Sequence, residues 1–470
     1  MSDSKQAQVV VVGGGVAGLA AAVFAARSGA SVMLLEALSE RGGRSRTREE
    51  EGFRFNMGPH ALYRNSPAEA VLEELGIRVA GAPPDLGTSL AWCEGRLSQL
   101  PGGPLSLLTT RLLGAREKAA MASLFVRLPK LDPTPWQGRS LRELLMERFQ
   151  HPRLRQLFAA LVRLSSYANA PDVMSAGLAI QQLQAAVGAG VRYVDGGWQS
   201  IVGALEEAAR EAGVVMRSGV RVRTIESRAD ARGAVAKGAV ATEAGRSTGW
   251  SLRLRDDSSV GADAVVLAMG PQEASRLVAE GRDPILAEQV GRALPVRAAC
   301  LDVGVSRLPR PRHPFALGID EPTYLSLHSS GAREMAPDGG ALFQVARYLS
   351  PDEKPERAEV QAELETLLDA VQPGWREVVC TKKLLLDLRV AHSLPTAEMG
   401  GLAGRPRVDA LEPRWPGLML AGDWIGPTGW LVDGALASGR DAGCAAAGHV
   451  RRTQDRPAQD QPAHDRPGHA

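Results

Sequence analysis

This chain of 470 residues is short of cysteine, lysine and aromatic side chains, and each shortage narrows what it can be. Its four cysteines, Cys93, Cys300, Cys380 and Cys444, lie far apart and form no C-x-x-C pair. That spacing argues against a disulfide framework or a zinc site, so no metal is expected and each thiol reads as a small buried apolar group. A reducing, cytoplasmic setting follows, with peripheral membrane contact left open. Only seven lysines occur (Lys5, Lys118, Lys130, Lys237, Lys354, Lys382 and Lys383), and the net charge is +2, which supplies no broad electrostatic reason to bind nucleic acid. Aromatics make up 4% of the chain, thin material for an aromatic cage. Two uncharged runs are long enough to suggest a membrane span, but neither reads as one. The run between Lys5 and Arg27 breaks at Gly13-Gly14-Gly15, and the run from Val173 to Val191 carries Gln181, Gln182 and Gln184.

What is present is a globular composition, 44% hydrophobic and 23% charged, at a length that suits two or three domains. From about Arg451 to Ala470 the chain turns to Arg, Asp, Gln, Pro and His with almost nothing to bury, so a disordered tail is expected over 451–470.

The strongest local signal lies near the N-terminus. Val9-Val10-Val11-Val12 has the β-type character of a strand, and Gly13-Gly14-Gly15-Val16-Ala17-Gly18 follows it as a G-x-G-x-x-G that opens an alanine-rich helix to about Arg27. Gly13 suits the tight turn, Gly15 lets a pyrophosphate approach the backbone, and Gly18 lets helix and strand pack closely. The helix start, at Val16 and Ala17, turns its free N–H groups toward the phosphates. A second strand, Ser31–Leu35, ends in Glu36, whose carboxylate can accept ribose hydroxyls. The loop Glu40-Arg41-Gly42-Gly43-Arg44-Ser45-Arg46 sets two glycines beside guanidinium groups, which suits a pyrophosphate. A short strand then runs from Gly52 into Gly58-Pro59-His60.

These motifs resemble the N-terminal signature of the flavoprotein superfamily that includes monoamine oxidases, protoporphyrinogen oxidases and phytoene desaturases. The resemblance implies noncovalent FAD, with Gly42, Gly43 and Arg44 at its pyrophosphate and Gly58, Pro59 and His60 along the isoalloxazine ring. No Cys or His sits in a motif that would require a covalent link. Asn56 stands where the superfamily often has Asp. Further on, Asp195-Gly196-Gly197-Trp198, a helix to about Arg210 and the stretch Val214–Val222 look like the desaturase-type G-G block and its following strand, which makes Val222 the adenine contact. Ala262–Ala268 reads as a buried parallel strand. Leu418–Asp423 looks like the C-terminal flavin strand, with Gly422 and Asp423 near the phosphate–ribityl part. The helix beginning near Gly434 and Ala435 would then face the pyrimidine edge of the ring. A helix N-terminus there favours the negative charge of reduced flavin.

The expected fold is α/β: a discontinuous Rossmann-type FAD-binding domain (residues 6–80, 192–275 and 408–450) with an inserted α+β substrate domain (81–191 and 276–407). The first insertion reads as mostly helical, including Arg139–Leu164, and the second carries strands such as Arg297–Val305, Thr323–Ser329 and Ala341–Tyr348. Three readings of function stay open. The first, to which the resemblance is closest, is an FAD-dependent desaturase or dehydrogenase taking hydride from an apolar isoprenoid-, carotenoid- or porphyrinogen-like small molecule. The second is a flavin amine oxidase, although Pro295–Leu301 lacks the lysine such enzymes usually carry. The third is a non-redox flavoprotein. His60 is the weak catalytic candidate, either as a donor of a hydrogen bond or a proton or as a residue that only lines the pocket. His392 and Arg389, just ahead of the C-terminal flavin segment, are open equally to facing the pocket and to serving as loop residues.

Overall fold

A computed structural model describes residues 7–85, 88–228, 249–412 and 414–455 of the chain. Its centre is a five-stranded, all-parallel sheet in the order Val215–Arg217, Val32–Leu35, Val9–Val12, Ala264–Ala268 and Leu418–Ala421. Both faces of this sheet are covered, which is why its strands read as unbroken apolar runs. On one face Val9, Val11, Leu34, Val266 and Met419 pack under the helices Val16–Arg27, Gln199–Glu211 and Val432–Gln454. On the other, Val10, Val12, Met33, Val265 and Leu420 pack with Ile225, Trp250 and Val260 of a three-stranded antiparallel sheet formed by Val222–Ser227, Trp250–Leu254 and Ser259–Ala262.

Glycines decide how closely the layers meet. Gly13 has φ of 111°, and a side chain there would strike the carbonyl of Ala268. A side chain at Gly18 would strike the Gly13 carbonyl, so this glycine permits the strand–helix contact expected of it. On the last helix, Gly439 and Gly443 lie directly against the backbone of Ala17 and Ala21. The C-terminal helix is thereby locked to the helix that opens the chain.

The second large element is a seven-stranded sheet in the order Val379–Ala391, Val296–Val305, Ala341–Leu349, Thr323–Leu327, Phe315–Gly318, Leu90–Cys93 and Arg96–Gln99. The helix Arg357–Val371 covers one face. Residues 104–188 supply a helical layer whose apolar side merges with Cys300, Tyr324 and Tyr348 on the opposite face.

Several expectations change. The stretch 81–191 is mostly helical as expected, but it also carries Leu90–Cys93 and Arg96–Gln99, which join the large sheet. Arg139–Leu164 holds two helices, Leu141–Arg148 and Pro152–Ser166, separated just before the proline. Val214–Val222 is divided between two sheets, with Val215–Arg217 in the parallel one and Val222 opening a strand of the antiparallel one. Residues 451–454 continue the last helix, whereas 456–470, the rest of the expected tail, lie outside the described residues. Cys93 and Cys300 are buried as expected, but Cys380 and Cys444 are exposed. Among the described residues, no helix is long and apolar enough to cross a membrane.

Candidate functional site

A cavity of about 990 Å³ lies along the C-terminal ends of the parallel strands and reaches the large sheet, the position favoured by ligands in open α/β sheets. Its wall brings together Gly13, Gly15, Val16, Ala17, Glu36, Gly42, Gly43, Arg44, Pro59, His60, Val222, Gly422, Asp423 and Ala435. Gly18, Gly58 and Gly434, also named from the sequence, are not on it. Gly18 serves the packing described above. Gly58 is a turn with φ of 84° facing Leu388, and a side chain on Gly434 would meet Arg405 rather than the cavity.

The helix that opens at Val16 has Gly15 as its N-cap, with no side chain satisfying its free N–H groups, and a Cβ on Gly15 would meet nothing within 4 Å. Uncapped donors beside open space form an anion cradle. Glu36 is held in place by two backbone donors, Gly14 N–H to Oε2 at 2.7 Å and Leu38 N–H to Oε1 at 2.8 Å. Arg41 is not part of the cradle, since it is tied to Glu206 and Ser218.

Arg44 and Asp423, each expected to face the cofactor separately, are bound to one another. Arg44 Nη1 donates to Asp423 Oδ2 at 2.9 Å and to the Val390 carbonyl at 2.7 Å. His392 completes the cluster: its backbone N–H donates to Asp423 Oδ2 at 3.1 Å, and its Nδ1 lies 2.8 Å from Oδ1. Burial alone would raise the carboxyl's pKa, but the Arg44 charge and His392 outweigh it and hold Asp423 well below the usual carboxylate range. Beneath it the buried guanidinium of Arg405 donates to the carbonyls of Asp423 at 2.7 Å and Gly429 at 2.6 Å, joining the strand end to the loop before the last helix. Burial pushes the pKa of Arg405 down to about 10.

His60 sits against Trp198, ring centroids 4.8 Å apart, with Nδ1 2.8 Å from the Gly58 carbonyl. Burial lowers its pKa, and the Gly58 carbonyl only partly opposes that. A neutral imidazole giving its Nδ1 proton to Gly58 keeps a lone pair on Nε2. His60 thus lies on the cavity wall where the sequence placed it, with its Nδ1 engaged by a backbone carbonyl. Asn56 has a structural task as well: its Oδ1 accepts from Thr47 Oγ1 at 2.7 Å and from the Trp198 N–H at 3.0 Å, which sets the turn carrying Trp198.

The low aromatic content proves a poor guide to the cavity. All five tyrosines of the chain are buried or half-buried close to it. Tyr63 and Tyr167 line the wall together with Trp198 and Trp430. Tyr348 packs edge-on to Tyr167 and stacks on Tyr324, and Tyr193 stacks on His328 at 4.1 Å. Burial raises the pKa of all five phenols, that of Tyr193 to about 12, so they stay protonated at neutral pH. Two positions beyond the wall residue Ala298 along the same strand is Cys300, and two further is Asp302, wholly buried, accepting from Gln344 Nε2 at 2.9 Å while its Oδ2 has no partner. Burial raises the pKa of Asp302 to about 6. Among the described residues, no lysine lines the cavity.

Among curated proteins, the chain is 28% identical over 260 residues to a 4,4'-diaponeurosporene oxygenase of Staphylococcus aureus, 47% of this chain and 50% of the relative. The chain thus spans about half the length of the curated relatives it matches. Among solved structures it resembles an oxidoreductase from Methanosarcina mazei (TM-score 0.72, 19% identity, covering 92% of this chain and 99% of that one). It also resembles a cyclohexylamine oxidase from Brevibacterium oxydans (TM-score 0.67, 18% identity, 96% and 100%). These two likenesses are likenesses of fold. The model of one family, described as flavin containing amine oxidoreductase, matches residues 16–447, and with the cavity at the strand ends this means that the chain belongs to the flavin-containing amine oxidoreductases.

Proposed function

We propose that this flavoprotein binds FAD noncovalently and oxidises an apolar small molecule, an isoprenoid-, carotenoid- or porphyrinogen-like compound, in preference to an amine. On this reading residues 6–80, 192–275 and 408–450 form the FAD-binding domain, and 81–191 and 276–407 the substrate domain.

The fit to FAD rests on chain geometry. The uncapped helix start at Gly15–Ala17 would hold the pyrophosphate, and Glu36, oriented by two backbone N–H groups, would take the ribose hydroxyls. Val222 would lie by the adenine, with Pro59 and His60 along the ring. The Arg44–Asp423 pair would set charge of both signs at the phosphate–ribityl part, and Ala435, in the first turn of the last helix, would lie where the helix dipole favours an anionic reduced ring. Bound flavin supplies the two-electron acceptor for a hydride leaving a substrate carbon. No cysteine lines the cavity, and the Nδ1 atoms of His60 and His392 are both engaged, which favours noncovalent binding.

One observation carries the substrate class: every carboxylate on the cavity wall already has a partner. Asp423 is held by Arg44, Asp387 by Arg297 at 3.2 Å, Glu273 faces Arg389 at 3.9 Å, and Glu36 is held by backbone N–H groups. With Glu36 facing ribose on this reading, an ammonium group would find no carboxylate left without a guanidinium partner, and desolvating it would be costly. The remaining wall includes Tyr63, Tyr167, Leu388, Trp430 and Leu431, with neutral phenols. The name of the Staphylococcus relative favours this branch, while the name of the cyclohexylamine oxidase favours the amine.

The test is anaerobic reduction of the purified flavoprotein by a panel of polyenes, porphyrinogens and primary amines, read by bleaching of the flavin band. Bleaching by polyenes or porphyrinogens but not amines is expected, and rapid bleaching by amines alone overturns the substrate assignment. Acid precipitation should release all the chromophore as FAD. Glu36→Ala should weaken FAD binding about tenfold or more, since each charge-assisted hydrogen bond to ribose contributes roughly 1.5–3 kcal/mol. An unchanged dissociation constant would remove Glu36 from the site.

A further inference from the structure

The three most exposed large aliphatic side chains among the described residues, Leu105, Val126 and Leu108, at 75, 74 and 73%, share one stretch of chain. It consists of the helices Pro104–Thr109 and Ala115–Arg127 with the short turn Leu128–Lys130. The same stretch is strongly basic: Arg111, Arg116, Lys118, Arg127 and Lys130 stand against the single acid Glu117, whereas the rest of the chain is slightly acidic. Glu117 is occupied in capping its own helix at the Gly114 N–H. Lys118 donates to the Leu108 carbonyl at 2.7 Å, which ties the start of the second helix to the end of the first.

Arg111, Arg116 and Arg127, with Lys130, are exposed and have no ion-pair partner among the described residues. Exposing leucines costs solubility, and leaving cations unpaired in the same stretch of chain serves no internal packing purpose. A surface that takes both groups at once is a bilayer with anionic headgroups: aliphatic tips enter the acyl boundary and the guanidinium groups meet phosphate. A second copy of the chain fits poorly, because a two-fold contact would set these like charges against each other. Nucleic acid fits poorly as well, because Leu105, Leu108 and Val126 offer bases neither stacking nor hydrogen bonds.

The inner side of the hairpin gives docking a consequence. Leu107, Leu113, Met121 and Leu128 are buried in the hydrophobic cluster that also holds Trp430 of the cavity wall. We infer that the hairpin of residues 104–130 docks the protein on anionic lipid surfaces, a contact suited to an enzyme whose substrate partitions into lipid. The link to substrate rests on the function proposed above, but the docking itself needs no turnover to be measured.

The experiment is co-sedimentation of the full-length flavoprotein with vesicles of phosphatidylcholine alone, or of phosphatidylcholine mixed equally with phosphatidylglycerol, at low and high salt. Binding only to the mixed vesicles, weakened by salt, is expected. Arg111→Gln with Arg116→Gln should weaken it roughly fivefold per cation removed. Leu105→Ser with Leu108→Ser should weaken it at least tenfold, while flavin content and thermal midpoint stay those of the parent because both side chains are already in water. Binding that survives both pairs of changes, or no binding to anionic vesicles, overturns the proposal. So does a change of oligomeric state on altering the leucines without any vesicle binding. None of these outcomes bears on which compound reduces the flavin.

Discussion

Removing the Asp423 carboxylate tests the cluster that joins three distant parts of the chain. In Asp423→Ala, Arg44 loses its 2.9 Å ion pair, and the backbone N–H and Nδ1 of His392 lose contacts at 3.1 and 2.8 Å. Breaking a buried ion pair from one side costs about 3–5 kcal/mol. Asp423 is buried, at 2% side-chain exposure, but Arg44 is 37% exposed and water will recover part of its loss. A penalty of about 2–3 kcal/mol is therefore expected for the flavin-free protein. Asp423→Asn keeps one acceptor for Arg44 and should cost about half as much. The pH dependence has a definite sign. Burial pushes this carboxyl's pKa up, but Arg44 and His392 pull it down further, so the folded value lies below the unfolded one. Its contribution is present above the unfolded pKa of about 3.9 and is lost as pH falls through the folded value. Urea midpoints of wild type and variant should thus differ by a constant amount between about pH 5 and pH 8 and converge only in stronger acid. Equal midpoints near neutrality, or a gap that widens on acidification, would refute the pairing.

Two further changes probe the geometry. Gly434→Ala should destabilise the protein by about 1–3 kcal/mol, because the new methyl would sit 3.1 Å from the buried Arg405 Nη1. FAD affinity of the folded fraction should be unaltered. Ala435→Glu, on the cavity wall, should instead abolish FAD binding with the fold retained, so flavin titration of the two variants separates the positions, and equal behaviour would place the helix in the wrong rotation. At Asp302, burial lifts the folded pKa to about 6, above the unfolded value, so stability is greatest below the unfolded pKa and falls as pH rises through 6. Asp302→Asn keeps the bond from Gln344 and removes the ionisation. It should match wild type near pH 4 and exceed it by up to about 3 kcal/mol near pH 7.5, and urea unfolding at both pH values that shows no such divergence would contradict the assignment.

What could be read in advance followed the distance along the chain over which the physics acts. The strand, glycine turn, helix and closing acid of residues 9–36 are coupled through the backbone and a few neighbours, and they appear where their spacing put them. The strands Leu90–Cys93 and Arg96–Gln99 were hidden among helices because the sheet that accepts them is built from Phe315–Gly318, far along the chain. Arg405 gave no local signal either, since its role exists only once the carbonyls of Asp423 and Gly429 converge on it.

The same division runs through the candidate site. Sequence alone determined the glycine turn and uncapped helix start of the proposed nucleotide cradle, since both are properties of backbone conformation. It also determined the family, through motifs that each occupy a few consecutive residues. Tertiary structure decided which atoms face the cavity. Arg44 meets Asp423 across 379 positions, Tyr63 and Tyr167 reach the cavity wall from distant parts of the chain, and of Gly434 and Ala435 only Ala435 lines it. Gly439 and Gly443 seat the last helix against Ala17 and Ala21, and this contact helps to set its rotation. Rotation and long-range ion pairing depend on packing between segments that the chain order does not make neighbours, and so only the folded protein resolves them.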